Sequence, residues 1–158
     1  MKYYYLHIWS SGDLDRETQL DKSTHPPRVS NPGIEIDSWP ADDLFYSFPV
    51  FIVTDRLRAN LVYWGYDKIS FVKIERVSKG LNFLENFPNT DLPKLWLLKF
   101  DGIPMKCDIS IWQGKYLVVS ENALHFLRDN HVTHAEYDLI LGDIDDYFND
   151  GKHKFWMK

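Results

Sequence analysis

The sequence predicts an α+β fold, with a single mixed β-sheet, two or three short helices and an approximate duplication of a β-α-β unit. Three observations support this prediction. Most segments contain the aromatic and β-branched residues that favour strands. Two segments follow the same order of strand, hydroxyl residue, acid, short helix and strand, with Thr54 and Ser120 as the hydroxyl residues. The 158 residues include no Pro- or Gly-rich linker, so we expect one domain over residues 1–158.

The first 50 residues contain few long regular elements. Residues 3–9 are rich in Tyr and Trp and predict a first strand. Residues 10–32 contain repeated turn signals, such as His-Pro-Pro and Asn-Pro-Gly, and predict a long loop. A short helical turn is predicted over residues 40–45, because Pro40 precedes two acids that suit a first helical turn.

The two copies of the β-α-β unit lie 66 residues apart, at residues 51–74 and 117–140. The hydroxyl of Thr54 or Ser120 can accept a hydrogen bond from a free N–H group in the first turn of the following helix. Gly65 suits a left-handed stop for the first of these helices. The remaining segments predict a helix over residues 78–87, a strand over 95–100 and a hairpin around the Gly114-Lys115 turn.

Composition and charge exclude several classes of protein. Eighteen bases against 23 acids give a net charge of −5 and a pI near 5.6, whereas nucleic acids and anionic membranes attract a basic surface. The apolar runs are too short to span a membrane. The single cysteine, Cys107, excludes an intramolecular disulfide, and we therefore expect a cytoplasmic protein.

The residue types that most often carry catalysis or metal binding form no recognised pattern. His131 and His134 lie where the second helix gives way to a strand, so they are not i, i+4 neighbours on a helix. Cys107 is interpreted as a small buried residue rather than a nucleophile. The sequence also contains neither a Gly-x-Ser-x-Gly elbow nor a Gly-rich phosphate loop. We assign no catalytic, cofactor-binding or metal-binding residues and expect a protein that is not an enzyme.

Two segments without Lys or Arg combine carboxylates with aromatic residues, at residues 35–55 and 142–150. Such a combination is typical of ordinary solubilising charge over a core, but it also suits an interface in which rings fill pockets and carboxylates steer a basic partner. On the second interpretation, the candidate partner-binding residues are Trp39, Asp42, Asp43, Phe45, Tyr46, Asp143, Asp145, Asp146 and Tyr147.

Residues 110–121 read Ser-Ile-Trp-Gln-Gly-Lys-Tyr-Leu-Val-Val-Ser-Glu and are followed by Leu124, Leu127 and then Ala-Glu-Tyr at 135–137. This order of strand, turn, Val-Ser-Glu helix start and strand resembles the C-terminal pattern of a bacterial polymorphic-toxin immunity protein family, formerly a domain of unknown function. The resemblance covers the last third of the chain and departs from the pattern at residues 131–134, where a Gly-containing turn is expected.

The resemblance implies a small cytoplasmic protein that binds and neutralises a cognate protein toxin, for which a basic, nuclease-like toxin would fit the acidic charge. It assigns no binding residue. Two alternatives remain open from the residues alone. One is a small-molecule-binding protein or small enzyme with a pocket near His131 and His134. The other is a homo-oligomeric accessory protein.

Overall fold

The structure is a computed structural model that describes residues 1–38 and 42–149. The strands are β1 (Tyr3–His7), β2 (Gly12–Leu14), β3 (Gln19–Asp21), β4 (Arg28–Ser30), β5 (Gly33–Ile36), β6 (Leu44–Ser47), β7 (Val50–Thr54), β8 (Ile69–Lys73), β9 (Arg76–Lys79), β10 (Leu95–Phe100), β11 (Ile109–Trp112), β12 (Tyr116–Ser120) and β13 (Glu136–Leu139). The helices are α1 (Asp55–Trp64), α2 (Leu81–Asn86), α3 (Glu121–Asp129) and α4 (Ile144–Asn149). The α+β class is confirmed.

The prediction of a single sheet is wrong, because the described strands form four separate sheets. Two have four strands each, in the orders β11-β12-β1-β13 and β6-β7-β10-β8. The others are the three-stranded sheet β2-β5-β9 and the two-stranded ribbon β3-β4. Successive residues of the central strands, such as Ile52 and Val53 of β7, are buried on opposite faces. A sheet with two apolar faces needs a covering layer on each side, so the two large sheets stack instead of joining edge to edge.

The duplication exists in three dimensions, with one strand inserted into each copy. In the first unit (β6, β7, α1, β8 and β10), β7 and β8 both run antiparallel to β10, which lies between them. In the second unit (β11, β12, α3, β13 and β1), β12 and β13 are related to β1 in the same way. The N-terminal strand therefore completes the unit formed by the C-terminal third of the described chain.

Matching backbone hydrogen bonds show that the two units correspond residue by residue. The first N–H group of α1, from Asp55, donates to the carbonyl of Lys94 at 2.9 Å. The first N–H group of α3, from Glu121, donates to the carbonyl of Lys2 at 3.0 Å. Both bonds join the start of the helix to the residue before the inserted strand, so β10 and β1 occupy equivalent places.

One apolar core is shared by the two units. It includes Leu57 and Leu61 of α1 and Leu124 and Leu127 of α3, together with residues from the facing sides of both large sheets. The Trp64 and Phe126 rings add a direct contact between the helices, with ring centroids 3.9 Å apart. Residues of both units contribute to this one cluster, so packing the units together removes apolar surface of each from water.

The outer faces of the two large sheets are covered differently. On the second unit, Phe148 of α4 stacks on Trp112 and Tyr116, with ring centroids 4.6 and 4.5 Å away. On the first unit, Phe83 of α2 and the three-stranded sheet form the cover. None of the four described helices is long and apolar enough to cross a membrane.

Several local predictions differ from the structure. Residues 10–32, predicted as a long loop, contain β2, β3 and β4. The helical turn predicted over residues 40–45 is not formed at its C-terminal end, where Leu44 and Phe45 begin β6 because pairing with β7 buries both side chains. The strand over residues 95–100 and the hairpin around Gly114 are confirmed.

Arg76 connects the segments that flank the ribbon β3-β4 to strand β9, and Val29 of the ribbon packs on the core. Arg76 Nε and Nη2 donate to the two carboxylate oxygens of Asp15 at 3.0 and 3.1 Å, and Arg76 also donates to Asn31. This hydrogen-bonded ion pair lowers the pKa of Asp15. A Cβ atom at Gly33 would lie 2.0 Å from Asp15 Oδ2, so a glycine is required where the strand passes the ion pair.

This ion pair predicts a pH dependence of stability. Because the pKa of Asp15 is lower in the folded state, its stabilising effect is complete above the unfolded Asp pKa of about 3.9 and is lost as the pH falls through the folded value. We expect Arg76→Met to reduce the decline in the free energy of unfolding between about pH 5 and pH 2, measured by urea denaturation. Arg16→Met, at an exposed arginine, is the control. Equal declines in the two variants would contradict the assignment.

Candidate functional site

Asp42 is buried and lies at the junction of the two units. Its side chain is 6 % exposed and accepts hydrogen bonds from the backbone N–H groups of Thr133, His134 and Ala135 at 2.9–3.0 Å. The His134 ring adds a contact, since its Nδ1 lies 2.9 Å from Asp42 Oδ1. Consecutive N–H groups that converge on one carboxylate form an anion-binding nest.

Asp43 joins the same junction to the first unit. Its carboxylate accepts hydrogen bonds from the Thr54 hydroxyl at 2.7 Å and from Arg56 Nη2 at 3.0 Å. Its backbone N–H donates to the carbonyl of His131 at 2.9 Å. Asp42, Asp43 and residues 131–135 thus form a connection between the units, which we call the acidic clamp.

The two candidate carboxylates of the first acidic segment contribute little exposed charge, although Glu35 and Asp37 of the same segment are exposed. Asp42 and Asp43 are internal, and Phe45 is 2 % exposed in the core between the first unit and the three-stranded sheet. Tyr46 is half-buried against Phe51, and its burial raises the pKa of its hydroxyl. Trp39 lies outside the described residues. The described candidate residues of this segment therefore mainly make internal contacts that stabilise the fold, instead of forming an exposed surface. They are Asp42, Asp43, Phe45 and Tyr46.

The second acidic segment presents its carboxylates to solvent. Asp143, Asp145 and Asp146 are exposed at the start of α4. Asp143 Oδ1 accepts hydrogen bonds from the backbone N–H groups of Asp145 and Asp146 at 2.8 and 3.2 Å, which fixes this turn. Tyr147 is buried, and its hydroxyl donates to Asp138 Oδ2 at 2.5 Å. Burial and the neighbouring Asp138 carboxylate raise the pKa of Tyr147.

Two exposed apolar side chains beside these carboxylates were not assigned from the sequence. Tyr137 of β13 is 39 % exposed and Leu141, just after this strand, is 74 % exposed. The Arg128 guanidinium lies over the Tyr137 ring, 5.2 Å from its centroid. The signal available in the sequence was the alternation of acids and apolar residues after position 135. The exposure of these side chains depends on the position of β13 at the edge of its sheet. The sequence does not show which strand lies at an edge.

The equivalent segments of the two units carry opposite charge. Residues 136–149 hold five carboxylates and no Lys or Arg. The corresponding residues of the first unit, 70–83, hold three bases and one acid. The acidic character of this edge therefore does not follow from its position in the fold.

His131 and His134 lie at the clamp but are not brought into one site. His134 lines a cleft of about 310 Å³ together with Asp42 and Trp9, whereas the His131 side chain is exposed on a left-handed residue with φ of 68°. Cys107 is half-buried, and its sulfur accepts a hydrogen bond from the Ile103 N–H group at 3.3 Å. Within residues 1–38 and 42–149, no group of three or more His, Cys, Asp or Glu side chains is arranged to hold a metal ion.

Comparisons with protein-family models, with curated proteins and with solved structures gave no match to this chain.

The clamp predicts a large effect of one isosteric substitution. Asp42→Asn replaces a carboxylate oxygen by an amide that must face N–H donors, so we expect the free energy of unfolding to fall by about 3 kcal/mol in urea denaturation. Asp91→Asn, at an exposed carboxylate, is the matched control and should change it by less than about 0.5 kcal/mol. Similar small effects of both substitutions would show that the Asp42 carboxylate is not needed at the junction.

Proposed function

We propose that this protein is an immunity-type binding protein that neutralises a cognate, basic protein toxin by covering it. The binding surface in this proposal is the acidic face, which we define as Glu136, Asp138, Asp143, Asp145 and Asp146. One observation carries the proposal: Asp143, Asp145 and Asp146 are exposed at the start of α4, whereas the other side of this helix packs on a buried apolar cluster.

The packing beneath the acidic face limits the entropy cost of binding. Phe148 is fully buried between Trp112 and Tyr116, and Tyr147 is hydrogen-bonded to Asp138. The exposed carboxylates therefore stand on a backbone that is already ordered. A preordered surface loses less conformational freedom when it meets a partner.

Exposed apolar side chains lie close to the acidic face in the chain, with Tyr137 on the opposite side of β13 from Asp138. The partly exposed Tyr137 ring and the Leu141 side chain lie on or next to β13, and tyrosine is a frequent anchor residue in protein interfaces. Aromatic and aliphatic groups beside carboxylates combine buried area with electrostatic complementarity. This combination supports a protein partner.

The charge of the acidic face indicates the chemistry of that partner. A nuclease must attract phosphate groups and therefore carries a basic substrate cleft. Carboxylates can occupy such a cleft in place of phosphates, and their long-range attraction raises the association rate. The protein would then act by occlusion, without transforming a substrate.

The test uses the product of the reading frame next to this gene as the toxin. We expect its toxicity to bacterial cells to be suppressed by co-expression of this protein. Asp145→Lys combined with Asp146→Lys should weaken protection and slow association by about tenfold at low salt, measured by stopped-flow fluorescence.

The matched control is Glu85→Lys combined with Asp91→Lys, which makes the same change in net charge at two exposed carboxylates outside the acidic face. This control should retain protection. Failure of the wild-type protein to suppress toxicity would contradict the proposed function. Equal association rates for the two double variants would contradict the acidic face as its binding surface.

A further inference from the structure

Cys107 occupies the position in the second unit that Asp42 occupies in the first. The residue that follows each of them makes the same two contacts. Asp43 accepts hydrogen bonds from both the backbone N–H group and the hydroxyl of Thr54, at 3.0 and 2.7 Å. Asp108 accepts the same pair from Ser120, at 2.8 and 2.5 Å. The equivalence of Asp43 with Asp108 makes Cys107 the counterpart of Asp42.

The loop that faces Cys107 is likewise the counterpart of the loop that binds Asp42. Residues 65–68 connect α1 to β8, and residues 130–135 connect α3 to β13. The strand pairing makes residues 66–69 equivalent to residues 132–135. The N–H groups of residues 133–135 hold the Asp42 carboxylate. Beside residues 66–69 there is instead a cavity of about 220 Å³, lined also by Lys106, Cys107 and Asp108.

Cys107 does not take the place of the carboxylate. Its sulfur accepts a hydrogen bond from the Ile103 N–H group of its own loop. A thiol has neither the charge nor the two acceptor oxygens that three converging N–H groups require. The cavity therefore corresponds to the space that an anion, the Asp42 carboxylate, fills in the first unit.

Several residues that line this cavity carry hydrogen-bond donors. The Ile74 N–H group donates to the Leu95 carbonyl, and the Asp101 N–H group donates to the Lys68 carbonyl. In an antiparallel pair, every second residue of a strand turns its backbone N–H and C=O groups toward the partner strand. Residues 68 and 74 face β10 in this way, so the residues of the other set, such as Ile69, direct their N–H groups away from β10. Lys68 stands at the position of His134, whose ring contacts Asp42. Tyr66 also lines this region, and its hydroxyl, among the described residues, is buried with no hydrogen-bond partner.

Two acids also border the cavity. One Asp108 carboxylate oxygen accepts a hydrogen bond from Ser120, and Asp67 is exposed in the loop. The lining also includes Lys68 and Lys106, so the formal charges around the cavity sum to zero. In the occupied counterpart Asp43 stands directly beside Asp42, where Arg56 pairs with it.

We propose that the cavity between residues 66–69 and Lys106-Cys107-Asp108 is a binding site for a carboxylate group from outside the chain. The backbone N–H groups of the loop, the Lys68 ammonium and the Tyr66 hydroxyl donate to it. The site is independent of the acidic face and of the proposed function. Its ligand is either a small free carboxylic acid or the side chain of an acidic residue in a partner protein.

The first test is a titration of the ¹⁵N-labelled protein with sodium acetate, followed by amide chemical shifts and compared with sodium chloride at equal ionic strength. We expect saturable shifts at Asp67, Lys68 and Ile69 with a dissociation constant of about 10 mM. The amides of residues 133–135, which already bind Asp42, should not respond. Shifts at residues 67–69 that are no larger with acetate than with chloride would overturn the proposal.

Three variants separate the site from general effects. Lys68→Met should weaken acetate binding by about tenfold, because it removes the charged donor. Cys107→Asp should supply the carboxylate from within the chain, shift the amides of residues 67–69 without acetate and abolish the response to acetate. Cys107→Ala should retain the response. An unchanged acetate response in both Lys68→Met and Cys107→Asp would contradict the site.

The source of the carboxylate is distinguished by a second probe, the blocked tripeptide acetyl-Gly-Glu-Gly-amide. Tighter binding of the peptide than of acetate would identify an acidic side chain of a partner protein as the ligand. Binding of acetate alone would identify a small free acid. Absence of binding by both probes would overturn the proposal.

Discussion

The buried carboxylate of Asp42 is the interaction on which the arrangement of the two units depends. It provides a negative charge to three backbone N–H groups that no regular hydrogen-bond pattern satisfies at the start of β13. Because these donors and Asp42 belong to different units, their bonds fix one unit against the other. The shared apolar core supplies the larger part of the stabilisation, but apolar contact is not directional. The charged hydrogen bonds determine how the units are oriented.

Because the two units have nearly the same structure, residues with the same role in both indicate what the fold requires, and residues that differ are specific to one unit. Thr54 and Ser120 each accept a hydrogen bond from the third residue after them, and each donates to a preceding aspartate. These roles are the same in both units and are structural. The differences are Asp42 against Cys107, His134 against Lys68, and an acidic edge against a basic one. Asp42 connects the two units and is part of what the fold requires, so we place the function in the remaining differences, which are the acidic edge and the pair of Cys107 and Lys68.

The sequence predicted the repeated part of the fold well, because its signals are local. A hydroxyl residue followed by an acid and a short apolar stripe defines a helix start, and both α1 and α3 begin there as predicted. The number of sheets could not be predicted in this way. That β10 and β1 lie inside the units depends on pairing between residues more than 40 and more than 110 positions apart. The helix α4 was missed because it is held by the stacking of Phe148 on Trp112, a tertiary contact that leaves no local signal in the sequence.

The candidate site was predicted in part for the same reason. Acidic and aromatic composition marks both segments, but it does not show which carboxylates are internal. Asp42 is buried because the N–H groups that donate to it lie about 90 residues further along the chain, and Asp43 because its donors, Thr54 and Arg56, lie at the end of β7 and the start of α1. Within the described residues, Asp145 and Asp146 have no such distant donors and are exposed. The loop at residues 131–134, where the expected Gly-containing turn is absent, is the part of the second unit that receives Asp42.

Native-state hydrogen exchange tests the role of Asp42 most directly. If its carboxylate fixes the two units, the amide protons of Thr133, His134 and Ala135 exchange as slowly as those of the central strand β12, although they lie in a loop. Exchange of these three amide protons at the rate of exposed turns, with β12 still protected, would contradict this account.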